Sequence, residues 1–181
     1  MPIRIDFHKY KSAKMNGFYV LCSLVLAFLA LGYILMHNPH QNLHNAIFAT
    51  AAEIRHYYRD QPGYWKLSTQ SAKEQNLYQK LAGYTDYDIQ IGQNLDGSAG
   101  LPSDLSFNIV LRHINKSACI NLSELPISAE QKLLLQKITI INQNQDSAEF
   151  SWGGELALPV QKYVTRDHCS PVENTIVWTF Q

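Results

Sequence analysis

The chain has 181 residues, sets 15 lysines and arginines against 15 aspartates and glutamates, and is 46% hydrophobic. Arg4, Lys9, Lys11 and Lys14 precede the first long apolar run with only Asp6 opposing them, which leaves 11 basic and 14 acidic residues for the rest. A mildly acidic remainder has no basic patch or stripe, so nucleic acid is excluded as a specific partner.

The apolar run extends from Phe18 to Met36, 19 residues without a charge. As a helix it reaches roughly 28 Å, close to the thickness of a bilayer's hydrocarbon core. A cleaved secretory signal has a shorter apolar core followed closely by a small-x-small site, and the "HNPHQNLH" after Met36 contains none. The run is therefore expected to span a membrane. Its basic flank predicts a cytoplasmic N-terminus and an exported C-terminal part. In a bacterium this is a single-pass inner-membrane protein with a periplasmic domain, in contact with membrane lipid.

Leu43, Ile47, Ala51, Ile54 and Tyr58 recur at steps of four, four, three and four. That stripe predicts an amphipathic helix facing a core. It is expected to continue the apolar helix, bent near Pro39, and to end at Gln61-Pro62-Gly63. A second helix is predicted with Ser71 as N-cap, Glu74 completing a capping box, Leu77, Tyr78 and Leu81 as its apolar face, and Gly83 as its stop. Residues 84–104 read as a loop with a short strand at Ile89 to Ile91. Strands are predicted at "LSFNIVLRHI" (105–114), at "KITIIN" (137–142) and around Phe150 in "AEFSW", with a short helix carrying Cys119 after the first. Pro159 reads as the first residue of a helix over "VQKYVTRDHC", and "NTIVWTF" (174–180) as a closing strand.

Cys22 lies inside the apolar run, where it reads as a small hydrophobe. Cys119 and Cys169 both belong to the exported part and are expected to form a disulfide there, the alternative being two separate buried thiols. His37, His40 and His44 share a helical face, and His40 with His44 has the spacing of metal ligands. Headgroup-facing or solvated histidines explain the same residues and are the expected reading. Asp86, Asp88, Asn94, Asp96 and Asp104 crowd one loop without the full calcium-loop pattern, so no metal or other cofactor is expected. Asp167-His168-Cys169 does not make a thiol enzyme, because catalytic groups must meet across space and a disulfide removes the thiol. No phosphate loop, zinc spacing or serine elbow occurs, and no enzymatic activity is expected. Tyr57, Tyr58, Tyr64 and Trp65 read as packing at a helix end or as an interface. Asn115-Lys116-Ser117 and Asn121-Leu122-Ser123 match glycosylation sequons.

The order of these pieces resembles a type IV pilin, most of all the type IVb branch. Met15-Asn16-Gly17-Phe18-Tyr19-Val20-Leu21 is similar to the prepilin pattern of basic leader, glycine, phenylalanine and apolar helix, and Pro39 stands where many pilin helices carry a proline. "IRHYYRDQPGYW" resembles the end of the pilin rod, "FNIVLRHINKSACINL" its strand and cysteine-bearing helix, and "HCSPVENTIVWTF" its second cysteine and closing strand. The resemblance implies cleavage after Gly17 by a prepilin peptidase, N-methylation of Phe18, and a filament core containing Phe18, Cys22, Met36 and Pro39. Shaft-building pilins usually carry glutamate four residues after the cleaved bond, where this chain has Cys22. That departure favours a minor, priming or tip subunit.

The expected fold is α+β and pilin-like: a long N-terminal helix, with a membrane half and an amphipathic half, packed on a small antiparallel sheet. Its parts are a leader at 1–17, a membrane or filament-core helix at 18–36, an amphipathic continuation at 37–62 and an exported domain at 63–181. The expected function is that of a structural subunit of a type IV pilus or a pilus-like secretion or conjugation filament, ending at the cell surface, with the Cys119 to Cys169 region offered to a partner. Its partners would be other pilin subunits, the prepilin peptidase and the assembly machinery in the inner membrane. The alternative is an uncleaved single-span protein whose exported domain is a scaffold.

Overall fold

The structure is a computed structural model that describes residues 19–29, 39–101 and 105–181. Its contacts divide the chain into two units, Met1–Pro39 and His40–Gln181.

In the first unit residues 19–29 form helix α1. In the second, helix α2 (Pro39–Tyr58) begins with proline at its first position, where a missing N–H costs nothing because that donor has no intrahelical acceptor. Leu43, Ile47, Ala51, Ile54 and Tyr58 are all buried, together with Phe48 and Thr50, so the apolar stripe read from the sequence is the face that α2 packs on the core. Arg55 and His56 lie in its last turn, where cations complement the helix dipole, and the Arg55 guanidinium donates to the Leu133 carbonyl. Helix α3 (Thr69–Glu74) is capped by Ser68 and Ser71 in a reciprocal box. The expected cap, Ser71, is thus the third residue of the helix, because Ser68 offers its own hydroxyl one turn earlier.

Six strands form one sheet in the order β1-β2-β6-β3-β4-β5. They are β1 (Asp88–Gly92), β2 (Phe107–Ile114), β3 (Leu135–Asn142), β4 (Ser147–Ser151), β5 (Leu156–Ala157) and β6 (Asn174–Phe180). The first four pairings across the sheet are antiparallel, whereas β5 runs parallel to β4. The C-terminal strand β6 lies between β2 and β3, and Trp178 opposite both Ile109 and Ile138 is fully buried. Alternation sends Ile109, Leu111, Ile138, Ile140, Phe150 and Ile176 into the core, the pattern expected of strands with one packed face. Short helices α4 (Lys116–Ser123), α5 (Ala129–Leu134) and α6 (Lys162–His168) occupy the connections.

This corrects the expected architecture. Instead of a long, half-membrane helix on a small antiparallel sheet, the described residues form a six-stranded mixed sheet with helices beside it and no long apolar helix. The expectation of a single-pass inner-membrane protein with a cytoplasmic N-terminus and a periplasmic domain is corrected with it. Among the described residues no helix is long and apolar enough to cross a membrane. Helix α2, 20 residues long, alternates its buried stripe with asparagine, histidine, arginine and glutamate. The helix expected from Pro159 also starts later. Leu158 N–H instead bonds the Ser151 carbonyl, prolonging the β4–β5 pairing, the Leu158–Pro159 peptide is cis, and α6 begins at Lys162 with Gln161 before it.

Candidate functional site

Cys119 and Cys169 are joined, their Cα atoms 6.0 Å apart, within the range a disulfide accommodates. Each cysteine is delivered by local capping. Asn115 accepts the Ala118 N–H at 2.9 Å and starts α4, which turns Cys119 and Leu122 inward. Cys169 ends α6, with its N–H on the Thr165 carbonyl at 2.8 Å. The Thr165 hydroxyl donates to the Glu124 carboxylate, so the two helices are tied by a hydrogen bond as well as by sulfur. Beyond Cys169 the turn into β6 is fixed by buried Asn174, which accepts the Ser170 N–H at 2.6 Å and donates to the carbonyls of Ser170 and Ile114. This end of the sheet presents Tyr163, 70% exposed, and Val172, 68% exposed.

Next to it the end of β2 is bulged, the register shifting between Leu111 and Ile114, and His113 takes a left-handed φ of 57°. Such a backbone is uncommon outside glycine. It aims the imidazole between two carboxylates: Nδ1 meets Glu173, and Nε2 is 3.8 Å from Asp88. The cluster joins the start of β1, the end of β2 and the turn before β6. A cleft of about 310 Å³ lies beside it, lined by His40, Asp86, Tyr87, His113, Asn115 and Ala118 among others.

The face of the sheet opposite the core is partly covered by the segment after β1. Gln93 and Leu95 lay their carbonyls on the side chains of Asn108 and Arg112, at 2.7 and 2.8 Å. Val110 and Val177, directly paired across β2 and β6, are buried on this face. A cleft of about 380 Å³ remains between Leu95 and the β3–β4 turn. The free edge of β1 is closed by side chains: the Thr69 hydroxyl bonds both the N–H and the C=O of Ile91, at 2.9 and 3.1 Å, and Tyr78 donates to the Ile89 carbonyl at 3.2 Å. An open edge strand invites pairing with another chain, and these hydroxyls take the place of a neighbour strand. Nothing in the sequence periodicity marks Thr69, Tyr78 or His113 for these roles, since each depends on contacts 11 to 60 residues away.

In the N-terminal unit α1 carries its apolar side chains outward. Tyr19, Val20, Leu21, Leu24, Val25, Leu26, Phe28 and Leu29 are each more than half exposed, Phe28 to 75%. Cys22 is half-buried and a free thiol.

Gly17, Phe18, Met36, His37 and Asp104 lie outside the described residues. Pro39 is exposed at the start of α2. His44 is buried against the Phe48 ring, centroids 4.7 Å apart. Desolvation lowers its pKa to about 4, against a smaller opposing effect of a hydrogen bond with Asn45. His40 is half-buried one turn earlier. Among the described residues no three histidine, cysteine, aspartate or glutamate side chains are arranged to hold a metal ion. Asp96 caps a turn by accepting the Ser98 N–H at 3.0 Å, and hydrogen bonds from the Ser98 side chain and backbone hold its carboxyl below its ordinary value. Tyr58 and Tyr64 are buried in a run of rings, Tyr58 on Tyr64, Tyr64 on Phe107, Phe107 on Phe180 and Phe180 on Phe48. Burial raises the pKa of both tyrosines. Tyr57 is exposed and the half-buried Trp65 carries the Lys66 ammonium at 4.4 Å, so Tyr58 and Tyr64 belong to the core and the other two do not. In Asp167-His168-Cys169 the sulfur is in the disulfide and His168 sits edge-on to Phe150. Asn115 of the first sequon is the α4 cap, and Asn121 of the second is exposed on that helix.

Compared with known proteins, the chain matches no family model, no curated protein and no solved structure.

Proposed function

We propose that the chain is a structural subunit of a type IV pilus-like filament, in a minor, priming or tip position. The observation that carries the reading is the outward apolar surface of α1, from Tyr19 to Leu29. A helix that is apolar all round is stable only when something apolar surrounds it. Equivalent helices of other copies supply that surrounding in a filament and bury the α1 side chains against one another.

The second unit needs no such help. Its core is closed by α2, by the sheet and by the Cys119–Cys169 bridge, and its β1 edge is covered by Thr69 and Tyr78. Association through apolar helices and not through sheet extension is what this division supports. A disulfide of this kind belongs to an oxidising compartment. Cys22 supplies no carboxylate for the N-terminus of a neighbouring copy, which fits a subunit that starts or ends a filament better than one repeated along it.

The test is maturation. With the full chain produced alongside a prepilin peptidase, intact-mass measurement is expected to show loss of residues 1–17 and a new N-terminus at Phe18. Recovery of the chain with Met1 intact beside an active peptidase contradicts the proposal.

A further inference from the structure

We draw no further inference here: the strongest candidate, the cleft on the outer sheet face between Leu95 and the β3–β4 turn, is lined by Asn142 and Asn174, whose amides are spent on bonds within the fold, and nothing in the structure shows what fills it.

Discussion

Burying His44 beneath α2 couples the stability of the second unit to pH. The side chain is 1% exposed and its Nδ1 has no hydrogen-bond partner. Its pKa is lowered from 6.5 to about 4 because burial penalises the imidazolium. The unfolded chain therefore binds this proton more readily than the folded one, and stability falls as pH drops below 6.5. The loss is complete below the folded value of about 4, where both states are protonated. At roughly 1.4 kcal/mol per pH unit the whole shift amounts to about 3 kcal/mol. His44→Leu keeps a side chain of similar bulk and removes both the titration and the unpaired nitrogen. Urea unfolding of the full chain in a mild detergent, followed by tryptophan fluorescence, measures the effect between pH 7.5 and 4. The variant is expected to be as stable as the parent at pH 7.5, or slightly more so, and to gain on it by about 3 kcal/mol as the pH reaches 4. Parallel pH profiles for the two proteins would refute this reasoning, since other acid-sensitive groups act equally on both.

Replacing Cys119 and Cys169 together by alanine should cost about 2–5 kcal/mol, read as a lower urea midpoint, while the parent shows no free-thiol labelling at either position without reduction. Thr69→Val leaves the Ile91 N–H and C=O unpaired on the β1 edge and should cost about 1–3 kcal/mol; hydrogen exchange at the Ile91 amide reports it, and unchanged protection contradicts the role given to the hydroxyl. Gly97 has φ +75° and an added Cβ would lie 2.5 Å from the Thr69 hydroxyl oxygen, which its two bonds hold in place. Gly97→Ala should therefore destabilise by about 1–3 kcal/mol and loosen the same Ile91 amide.

The elements legible in the sequence were those whose pattern is local. The stripe from Leu43 to Tyr58 predicted the buried face of α2 residue by residue, and "NTIVWTF" predicted β6 with its limits. β3 extends its predicted run back by two residues to Leu135. β5 escaped because two residues, Leu156 and Ala157, carry no periodicity. α5 escaped although Ser128 and Gln131 form a capping box, because its leucines merge with the apolar run of β3. The order of strands was not legible, since pairing β6 between β2 and β3 joins segments far apart in the chain. The pairing of Cys119 with Cys169 agrees with the expectation, but the surroundings of the bridge were not legible: Thr165 on Glu124 and Asn174 on Ile114 are contacts across 41 and 60 residues. Among the described residues no helix is long and apolar enough to cross a membrane, although the run from Phe18 to Met36 has the length for it. Hydropathy alone registers the run from Phe18 to Met36, but it does not establish a helix over that length.

The central claim is that copies of this chain cover one another's α1. Purified extracellular fibres from cells expressing the full chain, analysed by N-terminal mass spectrometry, test it most directly. The account expects chains beginning at Phe18 in the fibre fraction, and their loss from it when Leu24 and Phe28, both exposed on α1, are replaced by glutamine. A matured chain that never enters any fibre fraction, or one that enters it undiminished with both replacements, would contradict the account.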